Sequence, residues 1–454
     1  MSDPVLEAHQ ILPRFFLLTA KGFSPISIRD QMVQAQWLVE RAWTTGVLNA
    51  GSKVLVVGAG AAGATAAIAA GQHGLDTTLI ELTAHSFGRQ AGCSTRWVDP
   101  MQYDWPADQW IGPLYSGHSA VPLNWHADWA YRLALQWRAT LRYAMTALPL
   151  RAHFFVWITN VIPIGSTAAP NELEVYFNRL PPIRVHALIW AAGFGKETCT
   201  IVDQRHGTGH LKYTGPNFWA RDSLEKRGCG STASRPHVVI LGGGDGGVQD
   251  SLRALTKEIS ARAIYDKLGI PDSVERLIQN AEDRAHRHWI WAGTNGQHDH
   301  DLYHALEQEH ATAVAESLQD SRVRDALKAL LGENPNNWEN VKLVYRCDHL
   351  ICLYGLNRFL ALLLDGYLQR FGKKLLMPGL TVVDVDTRAV PYQLDCVGHP
   401  VCYNPVNLAL SAPSMAADVI VVRYGLDVSS AVPPIPSTLR LSRLRHSIAC
   451  DPRP

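Results

Sequence analysis

Val54-Leu55-Val56-Val57-Gly58-Ala59-Gly60-Ala61-Ala62-Gly63 is a short apolar run that passes into glycines at the first, third and sixth places of a turn. Four branched apolar residues in a row suit a parallel strand buried on both faces. The alanine-rich stretch from Ala64 to Ala70 then reads as a helix. Each glycine answers a separate need. Gly58 permits the tight turn, Gly60 lets backbone approach a pyrophosphate, and Gly63 lets helix and strand pack closely. The helix start offers unpaired N–H groups and a partial positive charge to phosphates. A second strand, Thr77-Thr78-Leu79-Ile80, ends on Glu81, 23 residues after Gly58. A carboxylate at that point accepts hydrogen bonds from an adenosine ribose. Strand, loop, helix, strand and acid in this register define a dinucleotide-binding unit.

Beyond Glu81 the chain resembles the FAD-binding flavoproteins, amine oxidases included, many of which carry Gly-Gly-Arg at this distance from the acid. The residues here are Phe87-Gly88-Arg89. The resemblance implies FAD as cofactor, with Gly88 and Arg89 approaching its phosphates or ring. It also implies that the stretch from Gln90 to Arg96 passes near the isoalloxazine. Phe87 departs from the family pattern, which has glycine there.

The pattern recurs later in the chain. His237-Val238-Val239-Ile240-Leu241 is a second apolar strand, followed by Gly242-Gly243-Gly244-Asp245-Gly246-Gly247. Glycines again fill the first, third and sixth places, as Gly242, Gly244 and Gly247. Each half closes on a strand that ends in glycine, at Gly193 and at Gly425. This plan resembles flavoproteins with two dinucleotide-binding domains, among them thioredoxin-reductase-like enzymes and flavin monooxygenases. It implies FAD in the first domain and NADPH or NADH in the second. The second strand of the later half is expected at Val341-Lys342-Leu343-Val344-Tyr345, with Arg346 standing where Glu81 stands in the first half. A guanidinium there pairs with the 2′-phosphate of NADPH, which a carboxylate repels.

The expected fold is α/β, with two Rossmann-like units built on parallel sheets. A helical N-terminal extension covers residues 1–50, and the FAD-binding domain covers 51–200 with a loop-rich insertion at 88–150. A connector spans 201–235. The second domain runs over 236–425 with a helical insertion at 258–340, and 426–454 form a tail. The helix expected between Ile28 and Leu48 either packs on the FAD domain or forms a homodimer contact.

Composition bounds the rest. A net charge of +1, with 47% hydrophobic and 18% charged residues, gives no basic excess for nucleic acid or anionic membrane. No apolar run approaches the roughly 18–20 residues needed to span a bilayer. The first ten residues lack a basic n-region, so cytoplasmic residence is the expectation. Eight cysteines in 454 residues do not form a secreted disulfide framework. Cys93 stands alone after Glu81, and Cys347 and Cys352 follow the later strand, which disfavours a disulfide reductase. Tyr213-Thr214-Gly215 with Trp219 partly matches an aromatic–Gly–His–Trp fingerprint of flavin monooxygenases, without its histidine. Six of the fourteen tryptophans lie between Trp97 and Trp137 and are expected as buried aromatic core.

His286, His288, His298, His300, His304 and His310 crowd the proposed insertion, where a solvated polar segment is expected rather than a metal site. Catalytic candidates are confined to Asp104, placed to hold a substrate amine, and Trp105, placed to stack on substrate or flavin. The functional expectation is an FAD-dependent oxidoreductase, reductase or monooxygenase, reduced by NAD(P)H and acting on a small organic substrate. An amine or amino-acid oxidase using oxygen, or a nucleotide-sensing protein that retains FAD without catalysis, are the alternatives.

Overall fold

The computed structural model describes residues 3–18, 27–103, 105, 121–166, 169–204, 209–222, 224, 236–292, 300–332, 338, 340–350, 353–389, 391–398 and 414–427. Asp104, Cys352 and His298, and the side chains of His286, His288 and His300, lie outside what it describes. The chain divides into two compact units: residues 1–94, 113–196 and 426–454, and residues 95–112 and 197–425.

In the first unit, a six-stranded sheet is built from β1 (Gln10–Leu12), β2 (Phe15–Leu17), β3 (Lys53–Val57), β4 (Asp76–Glu81), β5 (Leu150–Phe154) and β9 (Ala187–Trp190). The strand order is β1-β2-β9-β3-β4-β5. All neighbours run parallel except β1 and β2. Central β3 shows why the apolar run became a strand: Val54, Leu55 and Val56 are each at most 1% exposed. Alternate residues serve opposite faces. Leu55, Val57, Ile80, Leu188 and Trp190 meet a three-stranded antiparallel meander of β6 (Ile158–Ser166), β7 (Ala169–Phe177) and β8 (Ile183–Val185). α3 (Ala61–Gln72) packs on β3, and α2 (Ile28–Thr44) packs along α3. A capping box of Ser27 and Asp30 starts α2, which buries Met32, Ala35, Leu38, Val39 and Ala42. Each fully buried Leu or Val in these layers contributes about 1.5–3 kcal/mol.

The second unit repeats the plan. β12 (Val238–Leu241), β13 (Val341–Val344), β14 (Leu376–Met377) and β18 (Val419–Val422) form a parallel sheet in the order β14-β13-β12-β18. Val239, Leu241, Val344, Ile420 and Val422 face a second meander of β15 (Leu380–Asp386), β16 (Tyr392–Gly398) and β17 (Ser414–Ala417). Val238, Ile240, Leu343 and Val421 face the helical layer. That layer starts with α6 (Asp245–Thr256), the helix of the second glycine loop. Between α6 and β13 stand α7 (Ala261–Leu268), α8 (Asp272–Ala292), α9 (His300–Gln319) and α10 (Ser321–Leu331); α11 (Gly355–Gln369) follows β13. The strand at 341–344 therefore pairs beside β12 with five helices, α6 to α10, intervening in sequence among the described residues. The fold is α/β, with two Rossmann-like parallel sheets and a helical insertion in the second. No helix among the described residues is long and apolar enough to cross a membrane.

Candidate functional site

In the first unit the glycine loop leaves β3 under tight steric control. Gly58 has φ +98, and a Cβ on it would lie 2.5 Å from the Ala191 carbonyl oxygen. A Cβ on Gly63 would lie 1.8 Å from the Gly58 carbonyl oxygen. Neither clash can be relieved by side-chain movement, because both partners are backbone. Gly60 has nothing within 4 Å and caps α3 without a side-chain acceptor. The helix start is thus an uncapped set of N–H donors behind an open position, which fits a dinucleotide pyrophosphate.

Glu81, the last residue of β4, reaches across to this loop. Its Oε2 accepts from the Ala59 N–H at 2.7 Å, and Oε1 accepts from the Thr83 N–H at 2.9 Å and the Thr83 hydroxyl at 2.8 Å. An ionised carboxylate offers about four lone-pair positions, so acceptor capacity remains for a ribose hydroxyl. Gly58, Gly60, Gly63 and Glu81 are therefore brought together at the C-terminal ends of β3 and β4.

Phe87-Gly88-Arg89 follows directly. Phe87 adopts the left-handed conformation, φ +53 and ψ +37, that a glycine would take without strain. The departure from the family pattern thus leaves the backbone path in place. Phe87 N–H donates to the Ala59 carbonyl at 2.9 Å. Arg89 is exposed and donates to the Gly195 carbonyl at 3.1 Å, tying α4 (Gly88–Ala91) to the turn that contains Gly193, φ +91. Gln90 is 9% exposed on the same short helix.

The second unit repeats the contacts of the first loop's glycines. Gly58 N–H donates to the Ile80 carbonyl, and Gly242 N–H donates to the Val344 carbonyl, each at 2.8 Å. A Cβ on Gly242 would lie 2.1 Å from the Arg423 carbonyl oxygen, and one on Gly247 would lie 1.9 Å from the Gly242 carbonyl oxygen. Gly244 is open and caps α6 without a side-chain acceptor. The register corrects one expectation. The residue after Val344 is Tyr345, so Tyr345, not Arg346, takes the place of Glu81. Its side chain is buried against the loop, and a Cβ on Gly243 would lie 3.0 Å from its ring. Burial, then Glu307 and Asp365, push its phenol far above the ordinary range. Arg346 stands one residue further on and is exposed. Sequence reasoning placed the strand correctly and its end one residue late, because only the ladder fixes which residue faces the loop.

Arg96 belongs to the second unit, at the centre of a buried ion network. Its guanidinium pairs with Asp250 on α6 and with Asp222 at 2.9 Å, and lies 4.0 Å over the Phe218 ring. Arg253 bonds Asp222 at 2.8 Å and Asp250 at 3.1 Å, and Arg423 bonds Asp250 at 2.9 Å. Burial alone would raise the Asp250 carboxyl, but Arg96, Arg423 and Arg253 outweigh it and hold the group at about 2. Asp250 and this network were not singled out from sequence. The available signal was a charged pair, Asp250 and Arg253, at helical spacing on an otherwise packed helix. Trp105 is 5% exposed in the core of the same unit, stacked on Phe359 at 5.4 Å and edge-on to Tyr265 at 5.3 Å. Trp125 and Trp137 are likewise buried, in the first unit.

His310 is fully buried, and its Nε2 lies 2.8 Å from Glu282, which also accepts from Arg358 at 2.6 Å. Burial holds the imidazole below its ordinary value. The His304 ring lies 5.0 Å from that of His349. Among the described residues, no group of three or more His, Cys, Asp or Glu is placed to hold a metal ion.

Each unit thus carries an open glycine loop ahead of an uncapped helix start, one with a carboxylate at its strand end and one without. Residues 53–117 match the model of the FAD dependent oxidoreductase family. The matched stretch contains the whole of β3, its loop, α3 and Glu81. Over that stretch the chain is similar to the FAD dependent oxidoreductases. No curated protein matches it. Among solved structures it is similar to thioredoxin reductase from Lactococcus lactis, at 12% identity over 83% of this chain and 78% of that one, with a TM-score of 0.38. It is similar to the bacillithiol disulfide reductase Bdr from Bacillus cereus, at 12% identity over 83% and 78%, with a TM-score of 0.41. It is also similar to OTEMO in complex with FAD and NADP, at 12% identity over 85% and 73%, with a TM-score of 0.38.

Proposed function

We propose that NAD(P)H reduces the flavin of this chain through the second unit, and that the reduced flavin acts on a small organic substrate as a reductase or monooxygenase. The carrying observation is the repetition of the loop. Gly242 and Gly247 make the same backbone approaches as Gly58 and Gly63, ahead of an uncapped helix start. The open positions at Gly60 and Gly244, each ahead of an uncapped helix start, support a pyrophosphate-bearing ligand at each loop.

The absence of a carboxylate at the Tyr345 position supports NADPH over NADH. Glu81 would repel a 2′-phosphate. Tyr345 does not, and the exposed Arg346 next to it can pair with one. When bound, FAD supplies the redox chemistry, while protein supplies binding, orientation and electrostatics. Glu81 would hold the adenosine ribose of FAD and the α3 start its pyrophosphate, and the α6 start would do the same for the nicotinamide nucleotide.

Among the described residues, Cys93, Cys199, Cys347 and Cys396 are unbridged thiols. Burial, then Glu197, pushes the Cys199 thiol up to about 11, and burial, then Asp395, does the same for Cys396. Such thiols are inert at neutral pH.

Anaerobic titration of the flavin-loaded protein with NADPH and NADH tests the proposal. Bleaching of the visible flavin band by NADPH is expected. Bleaching by an amine alone would make the protein an oxidase, and resistance to all reductants would make it a nucleotide-sensing flavoprotein.

A further inference from the structure

We propose that Phe87 is a positioning residue for the dinucleotide loop of the first unit, acting through its left-handed backbone rather than through its ring. The inference rests on the reading that FAD sits on that loop. Its starting point is an outlier. A bulky residue at φ +53 is rare, because its Cβ crowds the neighbouring carbonyl, and such residues persist only where their surroundings over-determine them.

The surroundings here do so from both sides. The Ser86 carbonyl, just before Phe87, accepts from Arg138 Nε at 3.0 Å and Nη2 at 2.8 Å. The Phe87 carbonyl accepts from the Ala91 N–H at 2.9 Å. The ring is 1% exposed and tilted 5.6 Å from Trp137, which meets Trp125 edge-on at 5.4 Å. What this fixation delivers is the N–H of Phe87, which donates to the carbonyl of Ala59. The N–H of Ala59 in turn donates to Glu81. Ala59 is thereby held on both its polar groups, between the two glycines that make the turn and the approach. The left-handed backbone sets the loop and the Glu81 carboxylate, while the buried ring adds to the stability of the fold.

Two roles are separable by substitution. Phe87→Gly keeps the left-handed backbone and deletes the ring. Phe87→Ile keeps much of the apolar volume but is β-branched, which opposes φ above zero. The apoprotein of each variant is titrated with FAD by flavin fluorescence, and its thermal midpoint is measured separately. Expected for Phe87→Gly is a lowered apoprotein midpoint with an FAD Kd within about threefold of wild type. Expected for Phe87→Ile is an FAD Kd raised about tenfold or more. Tighter FAD binding by the isoleucine variant than by the glycine variant overturns the proposal, since it would show the ring to be the active part. If Phe87→Ile does not fold, Phe87→Gly decides alone, and a tenfold loss of FAD affinity there overturns the proposal (about tenfold on the same scale). A wild-type apoprotein that takes up no FAD overturns this proposal and the FAD reading together, whereas failure of the variants alone leaves the FAD reading standing.

Discussion

Tyr345 holds in the second sheet the register position that Glu81 holds in the first. Each follows the residue whose carbonyl accepts the N–H of the loop's leading glycine. One position therefore offers acceptors to a ribose while its counterpart presents a buried ring and hands the strand end to Arg346. The two loops share their steric skeleton and differ in charge at the strand end.

Glu81→Arg is expected to abolish flavin binding. The change deletes the acceptor held by Ala59 and Thr83 and places a cation beside the helix start. Hydrogen bonds to charged groups contribute about 1.5–3 kcal/mol each, so the FAD Kd rises roughly a hundredfold or more. The ratio of visible to ultraviolet absorbance of purified protein reports this directly. A variant that stays fully yellow would refute the assignment of the loop.

Arg346→Glu leaves flavin content unchanged and weakens NADPH relative to NADH. Loss of one charge-assisted contact to a 2′-phosphate corresponds to roughly ten- to a hundredfold in affinity. Stopped-flow reduction at varied nucleotide concentration measures the two Kd values. Equal losses for NADH and NADPH would remove Arg346 from phosphate recognition.

Asp250→Asn leaves three buried guanidinium groups facing one fewer charge, at a cost of about 3–5 kcal/mol. Because the folded pKa is depressed to about 2, the contribution is complete above the unfolded value near 4. It is lost as pH falls from there toward 2. Urea unfolding of wild type and variant should give a constant gap above about pH 5 that narrows in acid. A gap that does not depend on pH down to the acid limit of folding contradicts the ionised network.

Phe155→Gly provides a contrast with Phe87. Phe155 has φ +58 but is 51% exposed, so its strained backbone is not matched by ring burial. Relief of left-handed strain, of about 1–2 kcal/mol, is partly cancelled by the greater freedom of glycine in the unfolded chain. The thermal midpoint should stay level or rise. A fall of several degrees would reveal packing at Phe155 that its exposure does not suggest.

The amino-acid order alone was enough for both glycine loops, their strands and helices, and the acid at Glu81. Their signals are local: a turn that needs glycine, an apolar run of strand length, an acid at a set distance. Local order also revealed the later strand at Val341, five helices away from its partner β12. The tertiary structure decided that Tyr345 rather than Arg346 faces the loop, because a ladder's register is set by pairing between strands. It decided too that Phe87 could stand in for a glycine, since Trp137 and Arg138, about fifty residues onward in the chain, help to hold that conformation. The ion network at Asp250 draws on residues 96, 222, 253 and 423, and charge complementarity over such separations carries no periodicity to read. Turn chemistry is written into neighbouring residues; the pairing of distant charges exists only once the chain has folded back on itself.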